Sequence, residues 1–176
     1  MEIESSQLFP GDPDGLERLW TPHRLVYVNK EDGRTGCPFC VAQERSDEDG
    51  LIIHRGEHAF VILNLYPYNS GHLMVCPNRH FSTYDLSTPE EVAEIGELTQ
   101  IAMRVLSVAT GCSGFNLGMN QGEVAGAGVE EHLHQHIVPR WPNDANFFPI
   151  VAKTKAMPRL LGEMREILAN HWPKSA

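Results

Sequence analysis

The sequence predicts an α+β domain in which five antiparallel strands form one sheet, accompanied by one long helix and one C-terminal helix. Three observations predict it. Five short apolar or alternating runs are bounded by turn residues. The turn Asn69-Ser70-Gly71 separates the second run from the third, which makes those two strands antiparallel neighbours. One segment carries both the start and the stop signals of a long helix.

The strands fall at 51–54 (LIIH), 58–64 (HAFVILN), 71–76 (GHLMVC), 115–119 (FNLGM) and 132–138 (HLHQHIV). The long helix begins at Thr88, which caps it; Pro89 suits its first position, and Glu91 completes a capping box. Val92, Ile95, Leu98, Ala102, Val105 and Ala109 recur at helical spacing, and Gly111 stands where a C-terminal cap belongs. A second helix is expected over about 158–170, with Leu160, Leu161, Met164, Ile167 and Leu168 facing inward. Residues 1–15, rich in Pro, Gly and acid, read as a loosely held arm, and 29–50 are polar and turn-rich around a cysteine pair.

The 176 residues suit a single domain, 1–176, able to bury a core, and the net charge of −9 argues against a nucleic-acid surface. A small nucleotide needs only local donors and stays admissible. No apolar run is long enough to span a bilayer. The stretch MEIESSQLFPGDPDG lacks a basic and an apolar region, so no secretory signal is expected and a cytoplasmic location is. Cys37-Pro38-Phe39-Cys40 is a C-x-x-C pair, which in a reducing compartment reads as metal or redox chemistry. Cys76 and Cys112 read as buried small apolar residues.

The chemistry concentrates in His132-Leu133-His134-Gln135-His136-Ile137-Val138. On a strand, this alternation puts three imidazoles on one face, where they can form a metal site, an acid–base and nucleophile cluster, or both. Gln135, on the opposite face, is expected to reach an interface or solvent. The preceding stretch 120–128 (NQGEVAGAG) has three glycines, which let backbone N–H groups approach a phosphate; the alternative is a plain flexible loop.

The His-x-His-x-His pattern followed by two apolar residues, then Pro139-Arg140-Trp141, resembles the histidine triad (HIT) family over about residues 18–170. Leu63-Asn64-Leu65-Tyr66-Pro67-Tyr68-Asn69, Gly71-His72-Leu73-Met74-Val75, Phe115-Asn116-Leu117-Gly118-Met119-Asn120 and Asn143-Asp144-Ala145-Asn146-Phe147 look like the bacterial branch that contains diadenosine tetraphosphate phosphorylases. The resemblance implies a HIT-like fold and covalent nucleotidyl transfer. His134 would be the nucleophile and His136 the residue assisting the leaving oxygen. His72 would orient the triad. Asn64 would hold the ribose, and Ile62 and Leu65 would flank the base unless they are ordinary core. Asn120 would meet the phosphate beside Gly126, Ala127 and Gly128. Members of the family often carry Ser or Thr just before the triad strand, where this chain has Ala127-Gly128-Val129.

Zinc-bearing relatives further imply a structural Zn2+ held by Cys37, Cys40, His80 and His132. Such an ion bears on stability and alignment rather than on chemistry at the metal. The resemblance also implies a homodimer joined edge to edge, with the stretch from Trp141 to Phe148 contributing to the partner's site. Phosphate or water as acceptor stays open. So does a nucleoside phosphoramidate substrate. A hexose-1-phosphate uridylyltransferase fits less well, because that branch resembles His-Pro-His-x-Gln and this chain keeps His136. A non-catalytic nucleotide-binding module is the reading from another class.

Overall fold

The computed structural model describes residues 36–142, 144 and 157–174. The arm at 1–15 therefore lies outside the described residues. The elements are α1 (Pro38–Gln43), β1 (Ile52–Arg55), β2 (Ala59–Leu63), β3 (Leu73–Pro77), α2 (Pro89–Thr110), β4 (Gly114–Gly118), β5 (Gln135–Arg140) and α3 (Leu161–His171). The strands form one five-stranded sheet in the order β1-β2-β3-β5-β4, with every pairing antiparallel. No helix among the described residues is long and apolar enough to cross a membrane.

Successive side chains of a strand point to opposite faces, so a strand covered on both faces needs apolar residues throughout. β2 and β3 show this, since every residue in both is buried. One face carries Val61, Leu63, Leu73, Val75 and Ile137 against Ile95, Leu98, Ala102 and Leu106 of α2 and Met164 and Leu168 of α3. The other face carries Phe60, Ile62, Met74 and Cys76 against Phe39 and Ala42 of α1. Cys76 and Cys112 are buried, as expected.

The ends of the long helix match their reading. The Thr88 hydroxyl accepts from Glu91 N–H at 3.3 Å, and the Glu91 carboxylate accepts from Thr88 N–H at 2.8 Å. Gly111 closes the helix at φ 67°, a left-handed conformation that favours glycine. Two details differ. Val92 is exposed, while Glu91, Thr99 and Leu106 complete the buried stripe. Glu91 tolerates burial because the Arg79 guanidinium meets both its oxygens at 2.7 Å. We expect Thr88→Ala to cost about 1 kcal/mol, a loss of ~2–4 °C in thermal midpoint that calorimetry would detect.

The C-terminal helix starts later than its apolar pattern implied. Leu160 is its N-cap, in extended conformation, so the residue leaves the helical phase and is 73% exposed rather than inward. Met164 and Leu168 are buried, and Trp172 beyond the helix end completes that contact, stacked on His54 at 5.1 Å.

The histidine strand also differs. β5 begins at Gln135, so His136 alone of the three lies on a strand, and His132 and His134 occupy the segment that enters it. The ladder with β3 ends at Val75↔Gln135. Upstream of it, Leu133 N–H bonds instead to the Phe81 carbonyl at 2.6 Å, which draws the chain off the sheet. Gln135, expected to reach solvent or an interface, is half-buried and tied to α2. Its amide donates to the Thr99 hydroxyl on α2 at 2.7 Å, because the face opposite His136 is covered by that helix.

Candidate active site

The β2–β3 connection places the histidine expected to orient the triad. Gly71 takes φ +76°, and a Cβ there would lie 3.1 Å from the Leu106 side chain, so glycine suits the position on both counts. His72, which follows it, is fully buried. Its Nδ1 accepts from the Tyr68 backbone N–H at 3.0 Å. The ring proton therefore sits on Nε2, which donates to His136 Nδ1 at 2.9 Å. That donation leaves His136 with its own proton on Nε2. Asn64 joins the same cluster, with its amide nitrogen 3.3 Å from His72 Nδ1. The Tyr68 ring lies 5.6 Å from the His136 ring in a stacked arrangement.

His134 is fixed differently. Its Nδ1 lies 2.8 Å from the His132 carbonyl oxygen, which can only accept. Nδ1 thus carries the proton, and Nε2 keeps a lone pair. The ring is 5% exposed, packed 5.0 Å from Phe39 and 4.9 Å from the His136 ring. Burial holds its pKa below the usual imidazole value, and the bond to the His132 carbonyl opposes that shift. The result at neutral pH is an uncharged, oriented, water-poor imidazole, which is what a nitrogen nucleophile requires.

The His132 ring serves another cluster. Its Nε2 lies 2.9 Å from the Pro77 carbonyl, which sets the proton there and turns the Nδ1 lone pair toward the sulfurs. Nδ1 is 3.3 Å from Cys37 Sγ and 3.6 Å from Cys40 Sγ, and His80 Nδ1 is 3.3 Å from Cys40 Sγ. All four donor atoms lie within 4.8 Å of one another. A tetrahedral ion with ordinary Zn–S and Zn–N bonds has ligand–ligand edges of about 3.3–3.8 Å, so this donor set fits such an ion. Burial, and then the neighbouring Cys37 sulfur, push the Cys40 thiol up to about 11. A bound cation would reverse that preference.

The HIT-domain family model matches residues 45–143. The chain belongs to the HIT family. A relative from Mycobacterium tuberculosis named AP-4-A phosphorylase is 44% identical over 172 residues, covering 93% of this chain and 88% of that protein. A histidine triad nucleotide-binding protein from Sulfolobus tokodaii, described as hypothetical, shares the fold with a TM-score of 0.61 and 26% identity, over 77% of this chain and 91% of its own. A Zn-bound histidine triad family protein from Mycobacterium smegmatis, 23% identical, shares the fold with a TM-score of 0.62 over 77% of this chain and 92% of its own.

The HIT fold thus brings together His72, His134 and His136, with Asn64 beside them, and gathers Cys37, Cys40, His80 and the His132 ring. The glycine-rich stretch 120–128 precedes the histidine segment in the chain. Gly122 and Gly126, both at φ +79°, flank a single 3-10 turn at Glu123–Ala125, and Asn120, Ala127 and Gly128 are half-buried. Among the described residues, the loop is anchored by Gln121, whose side-chain oxygen accepts from Tyr84 N–H at 2.8 Å. Ile62 is buried beside Met74 and Phe39, and Leu65 is 43% exposed. Of the stretch from Trp141 to Phe148, only Trp141, Pro142 and Asp144 are described.

Three contributors escaped the sequence reading. Phe39, between the two cysteines, packs on both His132 and His134. Asp144 accepts from Asn69 at 2.8 Å and from Arg140 at 2.6 Å, tying the end of β5 to the turn before His72. The Arg140 guanidinium holds that carboxyl far below the usual carboxylate range. Thr99 meets Gln135. A buried hydroxyl at mid-helix is the one signal that sequence offered, since threonine there has poor helix propensity.

Proposed function

We propose that this protein cleaves dinucleoside polyphosphates, with diadenosine tetraphosphate as substrate, through a nucleotidyl-histidine intermediate. The observation that carries the reading is the tautomer of His134: Nδ1–H is committed to the His132 carbonyl, and Nε2 presents its lone pair in a buried site. Nε2 attacks the α-phosphorus. A nitrogen–phosphorus bond forms as the bond to the leaving polyphosphate oxygen breaks. Both ring nitrogens then carry a substituent, so the ring becomes cationic, and the His132 carbonyl at 2.8 Å stabilises it. The Nε2–H of His136, held in that tautomer by His72, donates a hydrogen bond to the leaving oxygen as charge builds on it. An acceptor then attacks the same phosphorus and frees His134.

Inorganic phosphate is the proposed acceptor, in keeping with the name of the Mycobacterium tuberculosis relative. Asn64 would hold the ribose, Ile62 and Leu65 would flank the base, and Asn120, Gly126, Ala127 and Gly128 would meet the phosphates. Cys37, Cys40, His80 and His132 would hold a structural zinc, which supplies cross-linking of α1 to the histidine segment. The donor distances support zinc, and the smegmatis relative is described as Zn-bound. A homodimer joined along β4 is consistent with its place at the sheet edge, where Leu117 is 49% exposed. A cytoplasmic location is proposed, because the close pair Cys37 and Cys40 suits metal binding in a reducing compartment.

The test incubates the purified protein with diadenosine tetraphosphate, with and without inorganic phosphate, and separates the nucleotides. ADP and ATP formed only with phosphate support the proposal. AMP and ATP formed without phosphate would make water the acceptor and point to the loop that lacks a hydroxyl at Ala127-Gly128-Val129. No turnover in either reaction would overturn the substrate and shift attention to phosphoramidates or sugar nucleotides.

A further inference from the structure

Gln135 stands between His134 and His136 and is the first residue of β5. It is also the last residue to pair with β3 before the chain departs toward His134. Its side chain points away from the histidines, into an interface that is otherwise apolar: Ile137, Val75, Ile95, Leu98 and Ala102 all belong to the helix-side core. Gln135 Nε2 donates to Thr99 Oγ1 at 2.7 Å, and the Thr99 hydroxyl donates onward to the Ile95 carbonyl at 2.6 Å. Thr99 is 6% exposed.

Each residue is unfavourable alone. Threonine lowers helix propensity at mid-helix, and an amide facing a packed helix must find a partner or lose its hydration. Together they form a directional chain from the strand to the helix backbone. Apolar contacts tolerate small slides of a strand over a helix, whereas a hydrogen bond of fixed length and direction does not.

We propose that Gln135, through Thr99, is a positioning residue that fixes where the histidine segment leaves the sheet, and so where His134 stands relative to His136. This rests on the reading of His134 as the nucleophile. The anchored point is one residue from His134, whose ring centroid is 4.9 Å from that of His136. Losing the anchor lets the nucleophile drift without removing any group that touches substrate.

The test compares Thr99→Val, Thr99→Ser and Gln135→Leu in the full chain. Valine keeps the shape of threonine and removes the hydroxyl; serine keeps the hydroxyl. With diadenosine tetraphosphate and phosphate, Thr99→Val and Gln135→Leu should lower kcat about tenfold with KM within about twofold, less than the ~10²-fold that a misplacement of a full ångström costs. Thr99→Ser should restore kcat to near the parent value. Long-range 1H–15N spectra of the histidine rings give a readout independent of turnover. The His134 ring signals should shift in Thr99→Val and Gln135→Leu and stay in place in Thr99→Ser. Unmoved ring signals in Thr99→Val, or the same shift in Thr99→Ser, would overturn the proposal whatever the kinetics. An unaltered protein that fails to turn over the substrate would defeat the reading of the activity, while the ring signals still decide on Gln135.

Discussion

His134→Ala is expected to lower kcat for diadenosine tetraphosphate by at least about 10⁴-fold, the scale at which loss of a covalent nucleophile is felt. The protein should stay folded, because the ring bonds to a backbone carbonyl rather than to a core side chain. His136→Ala should cost less, about 10²–10³-fold, since a hydrogen bond to the leaving oxygen assists the step without forming the new bond. The two losses differ in kind as well as size. Quenched reactions with radiolabelled substrate should trap a nucleotidyl-protein adduct in the parent and none in His134→Ala. A His134→Ala protein that retained more than a hundredth of the activity would mean that the nucleophile lies elsewhere.

The second large effect concerns the four-residue donor cluster. Cys37→Ser should abolish zinc binding, and the parent should bind about one ion per chain by elemental analysis. Cys37 immediately precedes the six-residue α1, which is far too short to be stable alone. An ion held there would tie α1 to His80 after β3 and to His132 at the entry to β5. Removing the tie should lower the thermal midpoint by ~6–12 °C, the equivalent of about 3 kcal/mol. The effect on kcat, measured well below the new midpoint, should be less than tenfold. His134 keeps its carbonyl partner and loses only part of the support from Phe39, whose ring lies 5.0 Å away. An unchanged midpoint together with unchanged metal content would sink the zinc reading. A midpoint that holds while kcat collapses would mean that the ion acts in the chemistry.

Local signals were the legible ones. The start of α2 depends on Thr88, Pro89 and Glu91 within one turn, and its end on Gly111 alone, so the reading and the structure agree. The five strands were found because apolar runs and turn residues lie side by side in the chain. Two of the readings that the structure corrects arose at element ends. Leu160 matches the helical stripe in spacing, yet it sits at the N-cap, where the backbone is extended. His132 and His134 alternate like strand residues, yet the ladder ends at Gln135 because Leu133 pairs with Phe81 instead. Period-two spacing says which residues share a face if a strand continues; whether it continues depends on a partner elsewhere in the chain.

By itself, the sequence determined the family, the residue types of the candidate site and the caps of the main helix, because a motif and a cap are complete within a few residues. The tertiary structure alone decided which partner each histidine meets. The His132 ring turns to cysteines 92 and 95 residues away, while its carbonyl orients His134. His72 sets the tautomer of His136 across 64 residues. Gln135 finds Thr99 across 36. Each of these bonds needs two elements brought to within about 3 Å with the right ring edge or lone pair facing, and that follows from how the helices and strands pack, which local spacing does not encode.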